Sequence, residues 1–312
     1  MKYVPNVILF SLASKKCWIL PDVLTSFAAS TVCNKYRSGF CKQQASALTG
    51  RFFVSACLCL FFISVHAEDD ALEKYALHPS CSTTDFDDTV TIKHVIDGDT
   101  VVLSDERRVR LIGINTPEIS HDNRPAEIGA DQALDYLARL LKTNPDIGLV
   151  YDEERTDKYK RTLAHLFLKD GINIQALLLK RGLATPLIIP PNLNYLDCYG
   201  KSSEFAQSQE IGLWALKQYQ PVSVESLSIN DLGYRIITGN VMRIGESRSA
   251  TWINLARNLA LRITREDLPH FPDNMFKDLT GKNITARGWL YFANGQFRMQ
   301  IRHPANIKIK DQ

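Results

Sequence analysis

No apolar run in the 312-residue chain is long enough to cross a bilayer comfortably; the longest, Phe52 to Val65, spans 14 residues. Compositional bias is missing too: with 45% hydrophobic and 23% charged residues, the chain reads neither as disordered nor as a collagen-like repeat. Its length allows two modest domains. Methionine is scarce, the next one after Met1 being Met242. Cysteine is scarce where it counts, because Cys17, Cys33, Cys41, Cys57 and Cys59 all precede residue 68, leaving only Cys81 and Cys198 beyond it. Bulk positive charge is absent from the same region. The first 67 residues hold seven Lys and Arg against one acidic residue, and the remainder holds 30 basic and 33 acidic residues, a net charge of −3. General basicity therefore does not argue for a polyanionic partner.

What is present begins with that short apolar run. It follows Lys42 and Arg51, ends in Val65-His66-Ala67 and precedes the acidic Glu68-Asp69-Asp70, the layout of a secretory signal with cleavage at Ala67/Glu68. A buried core helix is the alternative. The first 41 residues show no targeting logic, so Met1 is expected to lie upstream of the true start, near residues 40–50. The expected domains are a signal peptide with an over-extended N-terminus (1–67), a mature N-terminal segment (68–88), a first domain (89–219), a linker (220–231) and a second domain (232–312). The mature chain is expected in the periplasm or outside the cell, with no integral membrane span and no obligate protein partner. In an exported chain, Cys81 and Cys198 are a disulfide candidate; two unpaired buried cysteines are the alternative. In the chain-entropy model a bond closing a loop of about 100 residues stabilises by up to ~4.7 kcal/mol.

From Thr89 to Ile114 the pattern predicts strands at Val90–Ile96, Thr100–Leu103 and Arg107–Ile114, broken at Asp97-Gly98-Asp99 and Ser104-Asp105-Glu106. Ala130, Ala133, Leu134, Leu137 and Leu141 then recur at helical spacing. Strands follow at Ile147–Tyr151 and Leu163–Leu168, then helices at Ile172–Arg181, stopped by Gly182, and at Ser202–Leu216. Five strands with a helix between the third and fourth is the order of an oligonucleotide-binding (OB) barrel. The order repeats after the linker around Gln220 to Asp231. Strands are expected near Tyr234–Met242, Ala250–Leu255 and Leu259–Ile263, a helical piece between Arg265 and Asp278, and a hairpin of Asn283–Phe292 and Gln296–Arg302 across Ala293-Asn294-Gly295. The expected fold is mainly β with helices (α+β): one OB barrel and a second, smaller OB-like barrel.

Charge separates the halves. Residues 68–226 carry a net charge of −9 and residues 227–312 one of +6. The second half also interleaves Trp252, Trp289, Tyr291, Phe292 and Phe297 with Arg257, Arg262, Arg287, Arg298 and Arg302. That mixture suits base stacking beside phosphate neutralisation, although a small barrel also uses aromatics as core.

Three motifs carry chemistry: Ile96-Asp97-Gly98-Asp99-Thr100-Val101, Arg110-Leu111-Ile112-Gly113-Ile114-Asn115-Thr116-Pro117-Glu118 and Arg155-Thr156-Asp157-Lys158-Tyr159-Lys160-Arg161. Alone, each has a plain reading as a hairpin turn, a solvated strand arginine or a charged loop. Together they gather hard oxygen ligands, a spare carboxylate and two arginines. Phosphodiester cleavage needs that set: a divalent cation to polarise a phosphoryl oxygen, a carboxylate to orient the attacking water, and guanidiniums to meet charge on the equatorial oxygens. Arginine's planar fork reads two oxygens at once.

In order and spacing these motifs resemble the staphylococcal nuclease (thermonuclease) family, from about Val90 to about Trp214. The resemblance implies an OB-fold endonuclease that uses Ca²⁺ and cleaves DNA and RNA with low sequence specificity, leaving 3′-phosphate ends. It implies Asp99, Asn115 and the Thr116 carbonyl as metal ligands, with Asp97 structural. Glu118 corresponds to the general base, Arg110 and Arg161 to the catalytic arginines, and Lys158 and Tyr159 to the residues that contact the substrate's terminal phosphate. Three departures stand out. Asn115 replaces an aspartate, which predicts weaker metal affinity. Lys160 stands where glycine is typical. Ala184 to Asn192 lacks the tyrosines that flank a bound nucleotide in the best-known members, with Tyr195 and Tyr199 as nearby substitutes. The competing readings are a catalytically weak or inactive nucleic-acid-binding module, an exported adhesin or scaffold using the second barrel, and a metal-independent phosphodiesterase. The last needs a histidine pair, and only His121 is close to these motifs.

Overall fold

The computed structural model describes residues 78–120 and 125–310. The expected signal peptide, residues 68–77 and His121 lie outside the described residues.

A closed five-stranded barrel forms first, ordered β1-β2-β3-β6-β5. Its strands are β1 (Asp88–Asp97), β2 (Thr100–Leu103), β3 (Arg108–Leu111), β5 (Asp146–Val150) and β6 (Thr162–Leu168). A two-residue strand β4 (Ile114–Asn115) leaves the barrel and pairs with β7 (Thr185–Pro186). Between β4 and β5 runs α1 (Ala130–Thr143), whose buried Ala130, Ala133, Leu137 and Leu141 form the stripe that the spacing predicts. After β6, α2 (Ile174–Lys180) starts where the Asn173 side chain accepts from the Ala176 N–H at 2.8 Å. It ends before Gly182, which takes φ +61°.

The third helix differs from expectation. α3 covers Leu196–Ser208, not Ser202–Leu216, and a short 3₁₀ turn at Gly212–Ala215 follows. Glu210 and Gly212 both adopt positive φ, which a continuing right-handed helix forbids. On α3, Cys198 forms a disulfide with Cys81, with Cα atoms 5.2 Å apart. The bond ties the arm before β1 to α3, and in the same arm Phe86 packs into the space that a Cβ on Gly148 would fill.

A second ring follows: β9 (Gly233–Glu246), β10 (Ala250–Leu255), β11 (Leu259–Thr264), β12 (Asn283–Ala293) and β13 (Gln296–Gln300). β12 pairs with both β13 and β9, which closes β9-β10-β11-β13-β12, and β11 runs parallel to β13 as β3 does to β6. The two rings thus share one strand order. The predicted hairpin is present: Ala293 pairs with Gln296, and Asn294 and Gly295 both take positive φ, as a type I′ turn requires. Between Arg265 and Asp278 the helical piece shrinks to one 3₁₀ turn, Leu268–His270, because Pro269 and Pro272 each lack an N–H donor.

The stretch expected as a linker is built into the second sheet. β8 (Pro221–Ser223) pairs parallel to β9, and β14 (Ile307–Ile309) pairs with β12. A separate cluster of Ala206, Leu213, Trp214, Tyr219 and Ile236 joins the end of α3 to the outer side of β9. Among the described residues, no helix is long and apolar enough to cross a membrane.

Candidate nuclease site

The turn between β1 and β2 positions Asp99. Its N–H donates to Asp97 Oδ1 at 3.0 Å, so Asp97 braces the turn that carries Asp99. Gly98 is required here for close approach, since a Cβ would sit 2.8 Å from both Ala133 Cβ and Thr116 Cβ. Asp99 is buried, at 6% exposure. Its Oδ2 accepts from the Thr116 N–H at 3.0 Å and pairs with Arg110 Nη2 at 2.9 Å, and its Oδ1 accepts from Thr100 Oγ1 at 3.2 Å. Burial pushes the carboxyl up to about 6, with Asp97 adding, against the downward pull of Arg110.

Arg110, on β3, is the hub. Nη2 also donates to the Ile114 carbonyl at 3.0 Å and lies 3.4 Å from Asn115 Oδ1, while Nη1 donates to the Leu111 carbonyl. One guanidinium nitrogen therefore gathers the Asp99 carboxylate and the Asn115 amide oxygen. Asn115 Nδ2 in turn donates to the Thr116 carbonyl at 3.1 Å, and Thr185 Oγ1, on β7, donates to the Asn115 carbonyl at 3.3 Å. The β4–β7 pair holds this strand end in place.

The proposed ligands fit a hard divalent cation: one carboxylate, one amide oxygen and one main-chain carbonyl, all oxygen. Among the described residues, no group of three His, Cys, Asp or Glu gathers into a metal cluster. The set is thus poor in negative charge, as Asn115 predicts.

Arg161 approaches from the loop between β5 and β6. Its Nε donates to Asp157 Oδ2 at 2.7 Å and its N–H to Asp157 Oδ1 at 2.9 Å. Asp157 also accepts from the Tyr159 N–H at 2.9 Å. These bonds outweigh burial and hold the Asp157 carboxyl below the usual carboxylate range. Sequence reasoning left Asp157 out of the site, although its i, i+4 relation to Arg161 was a usable signal. Tyr159 is 68% exposed, with Lys158 Nζ 5.0 Å and the Arg161 guanidinium 5.5 Å from its ring centre.

Arg110, Arg161, Lys158 and Tyr159 line one cleft of about 530 Å³, whose lining also includes Leu187, Ile189 and Arg302. Asp99, Asn115 and Thr116 attach to it through Arg110. Glu118 does not line the cleft. It is exposed two residues beyond Thr116, with its main chain tied by the Glu118 N–H donating to Glu127 Oε2 at 3.1 Å and the Glu127 N–H donating to the Glu118 carbonyl at 2.9 Å. Nor do Tyr195 and Tyr199 flank the cleft. Tyr199 is buried beneath Gly113, with its hydroxyl 2.6 Å from His165 Nδ1, and Tyr195 packs on His165 and Phe167. The segment that lacks tyrosines presents aliphatic Leu187 and Ile189 instead.

Comparison with known proteins bears on the same region. Residues 108–216 match the family described as staphylococcal nuclease homologue. The thermonuclease of Staphylococcus intermedius is 38% identical over 127 residues, covering 39% of this chain and 74% of that protein. The thermonuclease of Staphylococcus hyicus is 30% identical over 171 residues, covering 54% of this chain and 96% of that protein. Endonuclease YncB of Bacillus subtilis is 31% identical over 135 residues, covering 42% and 63%. With the barrel, the Asp99–Arg110 pair and the Arg161 loop in place, the chain belongs to the staphylococcal nuclease homologue family.

Proposed function

We propose that this chain is an exported, Ca²⁺-dependent endonuclease that hydrolyses phosphodiester bonds of DNA and RNA with low sequence specificity and leaves 3′-phosphate ends. That it is a nuclease follows from its family. The observation that best supports the finer reading is the pair of guanidiniums, Arg110 and Arg161, lining one cleft beside a buried carboxylate. A phosphate between them meets two cationic forks whose orientations are set in advance, Arg110 by Asp99 and main-chain carbonyls, Arg161 by Asp157. Preorganised donors of this kind need no rearrangement as charge builds on the phosphoryl oxygens.

Asp99, Asn115 and the Thr116 carbonyl would hold the cation, which supplies Lewis-acid polarisation of a phosphoryl oxygen when bound. Glu118, which lies outside the cleft, would take the proton of the attacking water only once its exposed side chain turns toward the bound phosphate. Lys158 and Tyr159 meet the next phosphate. Export rests on the layout of residues 51–70.

The test is a digest of single-stranded DNA, duplex DNA and RNA by the purified chain, with and without a calcium chelator, beside Arg110→Ala and Arg161→Ala. We expect cleavage that the chelator abolishes, and a loss of about 10²–10³ in turnover for each variant. Chelator-resistant cleavage, or variants as fast as the unaltered chain, would refute this reading.

A further inference from the structure

The second ring reaches the catalytic cleft. Arg302, just beyond β13, lines the same cleft as Arg110 and Arg161. Its Nε donates to Asp267 Oδ1 at 2.9 Å. Asp267 is 1% exposed, and its Oδ2 accepts from Thr264 Oγ1 at 2.6 Å and from Gln300 Nε2 at 3.2 Å. A buried carboxylate with its oxygens satisfied in this way fixes the guanidinium without using its two Nη nitrogens, which make no hydrogen bond with the described residues. That is a fork held ready for an anion.

Next to the cleft lies a cavity of about 250 Å³, which shares Leu187, Ile189 and Arg302 with it and adds Arg287 and Trp289 of β12. Trp289 is 55% exposed, so it is not core. It projects from the outer side of β12, opposite Tyr234 on β9. Farther along the same outer side, Tyr291 pairs with Arg298, and Trp252 pairs with Arg262. The Arg298 and Arg262 guanidiniums lie 5.1 and 5.9 Å from the Trp252 ring centre. Rings and guanidiniums alternate away from the cleft, on the half of the chain with a net charge of +6. Aliphatic Leu187 and Ile189 offer no stacking surface at the cleft wall; the nearby indole does.

We infer that the outer face of the second ring is a binding track for unpaired nucleic acid, DNA or RNA, in which Arg302 meets the phosphate that leaves the cleft and Trp289 stacks the base beyond it. Single strands are selected because stacking needs a free base face, which a duplex hides. The inference rests on the nuclease reading for the direction of the strand, and on the second ring alone for the contacts.

The test uses the full chain in chelator, where no cut is expected, and a fluorescent single strand of about twelve nucleotides, within the span OB folds cover. Anisotropy gives Kd against salt for the unaltered chain and for Trp289→Ala, Trp289→Phe and Arg302→Gln. Trp289→Ala should raise Kd by about 5- to 100-fold, the usual worth of one stacked base, and Trp289→Phe should restore most of it. Arg302→Gln should flatten the salt slope by about one phosphate contact. On the unaltered chain, an iodouracil-bearing strand should photocrosslink to the peptide spanning residues 283–302, a readout independent of any variant's folding. Kd values and slopes unchanged by all three substitutions, or crosslinks confined to residues 110–192, would overturn the inference. If the unaltered chain cuts with Ca²⁺ while the variants bind as it does, the track fails and the nuclease reading stands. Variants that lose binding in a chain that never cuts would leave the track and sink the nuclease reading.

Discussion

Asn115 sets the charge of the candidate metal site. Its amide oxygen shares Arg110 Nη2 with the Asp99 carboxylate, at 3.4 and 2.9 Å, so the site faces a guanidinium with one negative charge where an aspartate would bring two. Asn115→Asp keeps the shape and adds the missing charge. A unit charge about 4 Å from a cation is worth several kcal/mol at an effective dielectric of 20, part of which Arg110 would absorb. Half-saturating Ca²⁺ in a titration of cleavage should therefore fall about tenfold or more. An unchanged half-saturation point would remove Asn115 from the ligand set.

His165 is a second residue whose surroundings have a measurable consequence. It is buried, with Nδ1 2.6 Å from the Tyr199 hydroxyl, which also accepts from Asn173 Nδ2, and with Nε2 3.5 Å from Asp152. Burial lowers its pKa, and the upward pull of Asp152 only partly opposes this. A histidine held below its unfolded value of about 6.5 binds fewer protons folded than unfolded, so its stabilising contribution is complete above that pH and is lost as pH falls through it. Asp99 acts the other way. Its carboxyl is raised to about 6, so stability falls as pH rises from about 4 toward 6. The comparison that isolates the histidine is the difference in Tm between the unaltered chain and His165→Gln. The unaltered chain should lose its advantage between pH 7 and pH 5, and a difference that stays flat across that range would contradict the assignment.

At the scale of elements, the loop between β5 and β6 carries a cost that the sequence reveals. Lys160 adopts φ +63° within the turn closed by the Lys160 N–H donating to the Asp157 carbonyl at 2.9 Å. A residue with a Cβ pays roughly 1–2 kcal/mol in that left-handed conformation, which explains why glycine is the expected occupant. Lys160 is exposed and does not line the cleft, so Lys160→Gly removes strain without removing a contact. After the entropy that glycine costs in the unfolded chain, a gain of about 0.5–1 kcal/mol in denaturant unfolding is expected. A loss of stability would mean that the lysine side chain contributes something its exposure does not show.

How much was legible in the sequence divides along similar lines. Both rings could be read because β-branched runs and turn residues are local signals, and Asn294-Gly295 specified its hairpin outright. The site's framework was legible too, since Asp99, Arg110 and Arg161 lie in motifs whose chemistry is unusual in combination. What escaped depends on contacts far apart in the chain. Positive φ at Glu210 stops α3, and nothing in that residue type announces it. Tyr199 looked available for the cleft and is instead locked to His165 and Asn173. Arg302 reaches the cleft, and Trp289 the cavity beside it, where the Trp214–Tyr219–Ile236 cluster packs the second ring beside the first.

For the whole molecule, the disulfide is the longest covalent constraint among the described residues. Cys81 and Cys198 are 117 residues apart, and the loop between them contains every strand of the first barrel and the whole candidate site. Both cysteines are fully buried in the main core, beside Ile172, Ile174 and Tyr199. The arm also bonds directly, Ser82 bridging to Ile172 and the Thr83 N–H donating to the Gly171 carbonyl at 3.1 Å. Because those contacts survive reduction, the fold should persist without the bond while the unfolded chain gains freedom. Loop-closure entropy for a span of this size is about 4–5 kcal/mol, which corresponds to a drop in Tm of roughly 10–20 °C for a chain of this length. The second ring lies outside the loop, so its unfolding should shift less. Calorimetry with and without reductant, with free thiols counted to confirm that both cysteines are open, separates the two. A reduced chain that melts at the unreduced temperature would show that the arm's own packing, and not the bond, holds the barrel closed.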